Sequence, residues 1–299
     1  MAKLVECIPN FSEGRDAAVV EQIADTARSI AGVTLLDYSM DASHNRSVFT
    51  LVGSPEGMEE AAFQLCKKAS EIIDMTKHQG EHPRMGATDV IPFVPVKDMD
   101  AKECVEISKR VGERIARELG IPVFLYEDSA TNSERVNLAK VRKGQFEGMP
   151  GKLIQPEWKP DFGERKIHPT AGVVAVGARM PLVAFNVNLS TDDVEIANKI
   201  AKKIRAISGG FKYVKAMGVL LEDRKVAQVS MNMVNYEGTA LYTVFEAIRA
   251  EANRWGVNII GSEVIGLTPA KALIDCAEYY LKIENFDYAK QVLENHLLG

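Results

Sequence analysis

The apolar pattern of this chain runs through the same order of elements twice, and this repetition limits the folds available to it. In the first half, the periodicity predicts strands at 3–8, 33–38, 46–52 and 89–96, with helices at 15–30 and 55–74. In the second half, it predicts strands at 182–188, 213–221, 226–234 and 257–263, with helices at 191–207 and 239–254. Both series have the order βαββαβ, which is typical of the split-βαβ or ferredoxin-like unit.

The fold predicted from this order is α+β, with two ferredoxin-like subdomains, helices packed on the sheets and a ligand cleft between the subdomains. The boundary is expected at Arg179-Met180-Pro181, giving subdomains at 1–180 and 181–299. The remaining predictions are a helix at 100–119, a strand at 121–127, a helix near 133–142, a loop to about 170, a strand at 172–178, and helices at 269–282 and 286–297. Pro92 and Pro95 place the strand at 89–96 towards a sheet edge.

Composition excludes several classes of protein. The formal net charge is −5, from 36 Lys and Arg against 41 Asp and Glu, which argues against a general nucleic-acid binder. The N-terminus, MAKLVECIPN, lacks the long apolar core of a signal peptide, and no apolar run has the length of a membrane span. The cysteines are too far apart for a zinc site or a disulfide framework, so reduced thiols, no metal and a cytoplasmic location are expected: Cys7, Cys66, Cys104 and Cys276.

Two of the five histidines are held on stiffened loops, because each precedes a proline that disfavours helical backbone. The first is His82, in the polar, glycine-flanked segment HQGEHPRMGATD at 78–89. A polar loop between a helix and an apolar strand can hold a catalytic side chain at a cleft. The simpler interpretation, a loop whose charges satisfy one another, fits the spacing equally well. His44, in the loop DASHNR, has no single interpretation.

The second histidine of this kind is His168, in PDFGERKIHPTAGVVAVGAR at 160–179. The glycines allow the backbone to approach a flat ligand, and Arg165, Lys166 and Arg179 supply positive charge suited to a carboxylate. The segment contains neither GxGxxG nor a P-loop, so it gives no support for nucleotide binding. An ordinary turn before a strand explains the same residues.

Several longer segments resemble the formiminotransferase family, the transferase part of formiminotransferase-cyclodeaminase. They are VECIPNFSEGR at 5–15, HQGEHPRMGATDVIPFVPV at 78–96, PDFGERKIHPTAGVVAVGAR at 160–179, AFNVNL at 184–189, AQVSMNMVNYEGTALYTVFE at 227–246 and GSEVIGLTPAKALID at 261–275. The resemblance covers essentially the whole chain, and EHPRMGA is its most specific motif. It implies a stand-alone transferase without the cyclodeaminase, which could be a separate partner.

This resemblance implies transfer of a formimino group between N-formimino-L-glutamate and N5 of tetrahydrofolate, in histidine degradation, by a homodimer. The alternatives are formyl transfer from N-formylglutamate and a non-catalytic folate-binding protein. The family's catalytic histidine falls on His82. Its acidic residue falls on Ser39, so Asp37 and Asp41 on either side are the candidates for that role. The folate-binding stretch falls on Gly163, Glu164, Arg165, Lys166, Ile167, His168, Pro169, Thr170, Ala171 and Gly172.

The implied chemistry needs no metal. A formimino carbon is part of an amidine; the attacking nitrogen must lose a proton and the leaving nitrogen must gain one. Imidazole can do both near neutral pH, since its ordinary pKa is about 6.5. A carboxylate near the amidinium would stabilise it. Arginines are expected to hold the carboxylates of glutamate or folate, and the candidates are Arg46, Arg84, Arg165 and Arg179.

Overall fold

The computed structural model describes residues 3–222 and 224–297 of the chain. They fall into two compact units, whose boundary in the sequence lies between Arg179 and Met180. In each unit, helices pack on a β-sheet, which confirms the α+β class. Within the described residues, no helix combines the length and the apolar character needed to cross a membrane.

The first unit is built on a seven-stranded mixed sheet. Its strands are β1 (Leu4–Cys7), β2 (Asn10–Phe11), β3 (Val33–Asp41), β4 (Arg46–Gly53), β5 (Thr88–Lys97), β6 (Val123–Glu127) and β7 (Val174–Ala178). Its helices are α1 (Ala17–Arg28), α2 (Pro55–Ile72), α3 (Ala101–Leu119), α4 (Leu138–Arg142) and α5 (Gln145–Leu153). Across the sheet the order is β3, β4, then β1 and β2 together, then β5, β7 and β6, with β7 parallel to both of its neighbours.

The three long helices of this unit begin where the sequence supplies capping groups. The Asp16 carboxylate accepts hydrogen bonds from the first turn of α1, and the Ser54 hydroxyl accepts one from the first turn of α2. Asp100 and Glu103 form a reciprocal capping box at the start of α3. These helices therefore start close to the positions predicted from the apolar periodicity.

The prediction of a sheet edge for the proline-containing strand is wrong, because β5 lies inside the sheet. Pro92 faces the break between β1 and β2, where its carbonyl oxygen accepts a hydrogen bond from the N–H of Ile8 at 3.1 Å. Pro95 lies beyond Phe93, the last residue of β5 that pairs with β7. Each proline stands where a neighbouring strand is interrupted or has ended, so the missing N–H is tolerated.

The prediction of a long loop after residue 142 is also wrong in part, because this segment contains the nine-residue helix α5. The sequence hides this helix, since Gly144 stands at its start and Pro150 lies inside it. Burial stabilises it: Met149 and Leu153 are fully buried. α4 is shorter than the helix predicted near 133–142.

Apolar side chains are buried on both faces of the sheet at β7. Val174 and Val176 belong to the core that packs against α1, α2 and α3. Val173 and Ala175 belong to a second core, which also contains the buried side chains of α4 and α5. Burial on both faces explains the uninterrupted apolar run of this strand.

The second unit is built on a four-stranded antiparallel sheet of order β11-β8-β10-β9. Its strands are β8 (Val183–Leu189), β9 (Val214–Leu221), β10 (Val226–Met233) and β11 (Ile259–Ile265). Its helices are α6 (Val194–Ile204), α7 (Leu241–Arg254), α8 (Ala270–Leu281), α9 (Tyr288–Gln291) and α10 (Glu294–Leu297). The single helix predicted at 286–297 is wrong: Val292 and Leu293 separate two short helices.

Candidate active site

Two connections in the first unit are held together by Asn45. Residues 42–45 join β3 to β4, and residues 73–87 join α2 to β5. The Asn45 side chain donates a hydrogen bond to the carbonyl oxygen of Gln79 at 2.9 Å. Its own carbonyl oxygen accepts one from Nε2 of His78, also at 2.9 Å. The asparagine thus fixes the hairpin loop against the loop that precedes β5.

A close backbone approach brings His44 to the same loop. The N–H of Glu81 donates to the carbonyl oxygen of Ser43 at 3.2 Å. At Gly80 an added Cβ would lie 2.3 Å from the carbonyl oxygen of His44, which no larger residue could accept without movement. The glycine therefore allows the histidine-bearing hairpin to lie directly beside the His82 segment.

His82 is partly buried and its ring is held in one tautomer. Nδ1 lies 2.7 Å from the carbonyl oxygen of Pro83, and a carbonyl oxygen can only accept, so Nδ1 carries the proton. In the neutral ring, the lone pair is therefore on Nε2. The ring centroid lies 6.1 Å from that of His44, with 62° between the planes. The structure brings together two imidazoles that are far apart in the sequence.

The surroundings of His82 keep its imidazole neutral. Burial lowers its pKa, and the positive charges of Arg46 and Arg142 lower it further, while Asp89 acts in the opposite direction. The pKa falls to about 4. At neutral pH this side chain is therefore a base with a free lone pair, and not an imidazolium.

Asp89 is fully buried and joins two arginines. Its Oδ2 lies 2.8 Å from Nη1 of Arg46 and 2.6 Å from Nη2 of Arg142, and its Oδ1 accepts the N–H of Met85 at 2.9 Å. Burial raises the pKa of this carboxyl, but the two guanidinium groups outweigh burial and hold the pKa below its usual range. Two positive charges share one negative charge, so this cluster carries a net positive charge. Nε of Arg142 is buried, and no described group accepts its hydrogen.

The two acidic candidates differ in their contacts. Asp41 accepts hydrogen bonds from the backbone N–H of His44 at 2.8 Å and from its ring Nδ1 at 3.0 Å. These two bonds, in that order, lower the pKa of the Asp41 carboxyl. Asp37 lies on β3 opposite Thr50, beside a bulge, and is exposed.

Arg84, a predicted carboxylate ligand, is buried and already engaged. Its two terminal nitrogens donate to Glu147 at 2.9 and 2.6 Å, and one of them also donates to Gln145 at 2.9 Å. Its Nε donates to Nδ1 of His78 at 3.0 Å. Arg84 therefore positions the His78 ring, which in turn holds the hairpin loop.

The predicted folate stretch has two parts with different surroundings. From Gly163 to Lys166 the chain is exposed, and Gly163 has a φ of 89°. From His168 to Gly172 it forms a tight turn with two backbone hydrogen bonds of 3.1 Å between these residues. The His168 ring accepts the N–H of Ala171 at 2.9 Å, and burial lowers its pKa.

This turn packs on the chain that follows the His82 loop. Gly86 and Gly172 form a β-bridge, and an added Cβ at Gly172 would lie 2.3 Å from the carbonyl oxygen of Met85. The N–H of Ala87 donates to the carbonyl oxygen of Ala171 at 2.9 Å. Two segments singled out in the sequence, 78–89 and 163–172, are therefore neighbours in space.

Arg179 follows β7, and its backbone N–H donates to the carbonyl oxygen of Phe93 at 3.0 Å. Burial raises the pKa of Glu6, and the charge of Arg179 acts against that rise.

The four cysteines are free thiols: Cys7, Cys66, Cys104 and Cys276. In the part of the chain that the structure describes, no group of three or more His, Cys, Asp or Glu side chains is arranged to hold a metal ion.

Comparison with known protein families gives matches over both units. The family model for the formiminotransferase domain, N-terminal subdomain, matches residues 4–179, and the model for the formiminotransferase domain matches residues 184–296. The chain belongs to the formiminotransferase domain family. The resemblance found in the sequence is thereby confirmed.

Several curated proteins are similar to this formiminotransferase-family chain. It is 74% identical over 299 residues to the glutamate formimidoyltransferase of Streptococcus pyogenes serotype M1, and the match covers 100% of both chains. It is 47% identical over 286 residues to that of Thermoplasma acidophilum, covering 95% of this chain and 94% of the relative. It is 44% identical to the formimidoyltransferase-cyclodeaminase of Mus musculus, covering 94% of this chain and 53% of the mouse protein. The chain thus spans about half of this longer relative.

Sequence reasoning missed two residues of this candidate site. Arg142 ends a short helix whose sequence gives no sign that it reaches Asp89. His44 was noticed without a role, because nothing in the hairpin sequence shows that the ring lies beside His82. The glycine at position 80 was the available signal, since a glycine in a polar loop can mark a close approach of two backbones.

Proposed function

We propose that this protein is a glutamate formimidoyltransferase that moves the formimino group between N-formimino-L-glutamate and N5 of tetrahydrofolate. Transfer from N-formimino-L-glutamate to tetrahydrofolate gives 5-formimidoyltetrahydrofolate and L-glutamate, as in histidine degradation and one-carbon metabolism. The observation that carries the proposal is the 74% identity to a curated enzyme of this name over the full length of both chains. Tetrahydrofolate is a co-substrate here.

His82 is the proposed catalytic base. Attack by an amine on the amidine carbon requires the attacking nitrogen to lose its proton, and the Nε2 lone pair of a neutral His82 can accept it. The low pKa of the free site keeps that lone pair available throughout the neutral range. Carboxylates of the substrate near Arg46 and Arg142 would offset the positive field and make the bound base stronger.

Arg46 and Arg142 are proposed to attract substrate carboxylates, because Asp89 neutralises only one of their two charges. The buried, unpartnered Nε of Arg142 supports this role. Arg84 is proposed to position the His78 ring, since its N–H groups donate to His78 and to Glu147. Arg179 remains a proposed carboxylate ligand because its guanidinium group suits a carboxylate.

The stretch from Gly163 to Gly172 is proposed to bind folate. Its exposed part carries Arg165 and Lys166, which suit the glutamyl carboxylates of folate. Its bridge to Gly86 places it beside the loop that bears His82. Asp37 is proposed to stabilise the amidinium, because it is exposed and lies on the strand that ends at Asp41.

We further propose that the units at 1–180 and 181–299 are both ferredoxin-like subdomains. The second sheet supports this, since β8, α6, β9, β10, α7 and β11 follow one another as βαββαβ with strand order β11-β8-β10-β9. A homodimer is proposed from the family resemblance alone. A cytoplasmic location is proposed because all four cysteines are free thiols.

The experiment is a turnover assay with tetrahydrofolate and either N-formimino-L-glutamate or N-formyl-L-glutamate at equal concentration. The proposal predicts a higher kcat/KM for the formimino donor, and loss of turnover with retained folate binding in His82→Gln. Preference for the formyl donor would contradict it and support the formyl transferase. Tight folate binding without turnover of either donor would indicate a non-catalytic folate-binding protein.

A further inference from the structure

The imidazole of His44 lies beside that of His82. The two ring centroids are 6.1 Å apart. In the tetrahedral centre of formimino transfer, the attacking N5 and the leaving glutamate nitrogen are bonded to the same carbon, so two rings at this separation can each serve a different nitrogen. No such arrangement could be foreseen from the sequence, where the two histidines are 38 positions apart (82 − 44).

The two rings are held by different partners. His82 donates from Nδ1 to the carbonyl oxygen of Pro83 and has its lone pair on Nε2. His44 donates from Nδ1 to the carboxylate of Asp41 at 3.0 Å, so a His44 ring that also carries a proton on Nε2 forms an ion pair with this carboxylate. Two imidazoles with such different partners can serve as the base and the acid of one proton-transfer reaction.

We propose that His44 is the general acid of the transfer reaction, with Asp41 as its positioning residue, and that His82 is the general base. This inference rests on the proposed formimino transfer. It gives Asp41 a different role from the stabilisation of the amidinium, which is left to Asp37.

These two rings can accept and supply the protons that the transfer requires. When the attacking N5 forms its bond to the amidinium carbon, the π pair of the C=N bond moves to the terminal nitrogen, and His82 Nε2 removes the proton from N5. His44 Nε2–H then donates its proton to the glutamate nitrogen, and the bond between that nitrogen and the carbon breaks with its electron pair going to nitrogen. A lone pair on the terminal nitrogen re-forms the C=N bond as the glutamate nitrogen leaves, so the product is again an amidinium, with its charge now shared with N5. His82 has gained one proton and His44 has lost one.

The reset requires a proton to pass from His82 back to His44. The two rings are close enough for a single water molecule or the departing amine to carry it. In the reverse direction the roles exchange, as microscopic reversibility demands.

Asp41 and Arg15 are charged groups that contact the His44 loop. Asp41 lies on the same loop, and Nε of Arg15, on the segment before α1, donates to the carbonyl oxygen of Ala42 at 2.9 Å. On the facing side lies His82, which must be deprotonated for turnover, so the pH profile has an acid limb from this ring.

The test compares kcat and kcat/KM of the full-length enzyme and its variants across pH, with N-formimino-L-glutamate as donor. His44→Gln should lose about 10²- to 10⁴-fold in kcat, the usual contribution of a positioned proton transfer. Asp41→Asn should lower kcat with little change in KM, because the carboxylate that holds the His44 ring through Nδ1 is gone. In His44→Ala, added imidazole should restore part of the lost kcat, since the native ring is about half exposed.

The matched control is His296→Ala, which removes an exposed histidine in α10 of the second unit and should leave kcat unchanged. A His44→Gln enzyme within threefold of the wild type overturns the proposal. If His44→Gln fails to fold, the Asp41→Asn kinetics and the imidazole rescue decide: an unchanged kcat in Asp41→Asn together with no rescue also overturns it. A wild-type enzyme inactive with the formimino donor would instead overturn the proposed function itself, before any variant is compared.

Discussion

The carboxylate of Asp89 is fully buried, with Nη1 of Arg46 at 2.8 Å from its Oδ2. Arg142 reaches the same oxygen from α4, so one residue of β5 is tied to β4 and to a helix of the opposite layer. Asp89 is therefore a structural centre that holds the two guanidinium charges near His82, and its own charge partly offsets their effect on the pKa of that ring.

Asp89→Asn is expected to destabilise the protein by about 3–5 kcal/mol, because it leaves two buried guanidinium groups without their counter-charge. The measurement is urea unfolding at pH 7. Asp25→Asn is the control: its partner is Arg28 on an exposed surface, so a change within about 0.5 kcal/mol is expected. Equal stability of the Asp89 variant and the wild type would contradict the ion-pair assignment.

The ion pairs of Asp89 with Arg46 and Arg142 predict that the free energy of unfolding depends on pH. The pKa of Asp89 is lower in the folded protein than in the unfolded chain. Its contribution is therefore complete above the unfolded value, near 3.9, and is lost as the pH falls from there towards the folded value. Unfolding free energies at successive pH values should show a decline below about pH 4 that Asp89→Asn lacks. An identical acid decline in both proteins would assign it to other groups.

Arg142→Met should raise the pKa of His82 from about 4, because it removes one of the positive charges that lower it. A base acts only when deprotonated, so activity falls as the pH drops through its pKa, and the acid limb of kcat/KM should move to higher pH. Initial rates after a jump from a neutral stock measure this limb. Arg110→Met is the control, since Arg110 pairs with Glu59 on α2 and is no part of the cluster. An unmoved limb in Arg142→Met would show that this charge does not act on the base.

Some features of the fold and of the candidate site could be predicted from the sequence. Others could not, for physical reasons. The order of strands and helices follows local apolar periodicity, and the His82-Pro83 pair marks a stiff loop, so both were predicted. The Arg46–Asp89–Arg142 cluster depends on contacts between distant parts of the chain, which periodicity does not encode. α5 was missed because its glycine and proline residues disfavour a helix in isolation, whereas burial of Met149 stabilises it in the fold.

Gly172→Ala should destabilise the protein by at least about 2 kcal/mol and reduce turnover. Its φ of 75° is unfavourable for alanine, and the added Cβ would lie 2.3 Å from the carbonyl oxygen of Met85. Gly148→Ala is the matched control, because no atom among the described residues lies within 4 Å of its Cβ position inside α5. This control should be neutral or stabilising by about 0.5–1 kcal/mol. Equal effects of the two substitutions would contradict the close packing of the turn on the His82 segment.

Arg165→Ala and Lys166→Ala should each raise the KM for tetrahydrofolate by about tenfold and leave kcat unchanged. Both side chains are exposed, so each loses one charge-assisted contact to a folate carboxylate, at the lower end of the usual range. A contact of equal strength in the ground state and the transition state changes KM alone. Steady-state kinetics at low and high ionic strength measure this, and the wild-type KM should rise with salt because such contacts are screened.

Lys109→Ala on α3 is the control for these two variants, because it removes a lysine outside the 163–172 stretch whose partner is Glu106. Its KM should equal that of the wild type. If Arg165→Ala and Lys166→Ala also keep the wild-type KM at low ionic strength, the exposed part of the 163–172 stretch does not bind the carboxylates. Folate recognition by this stretch would then have to come from the backbone between His168 and Gly172, whose position is fixed by the bridge from Gly86.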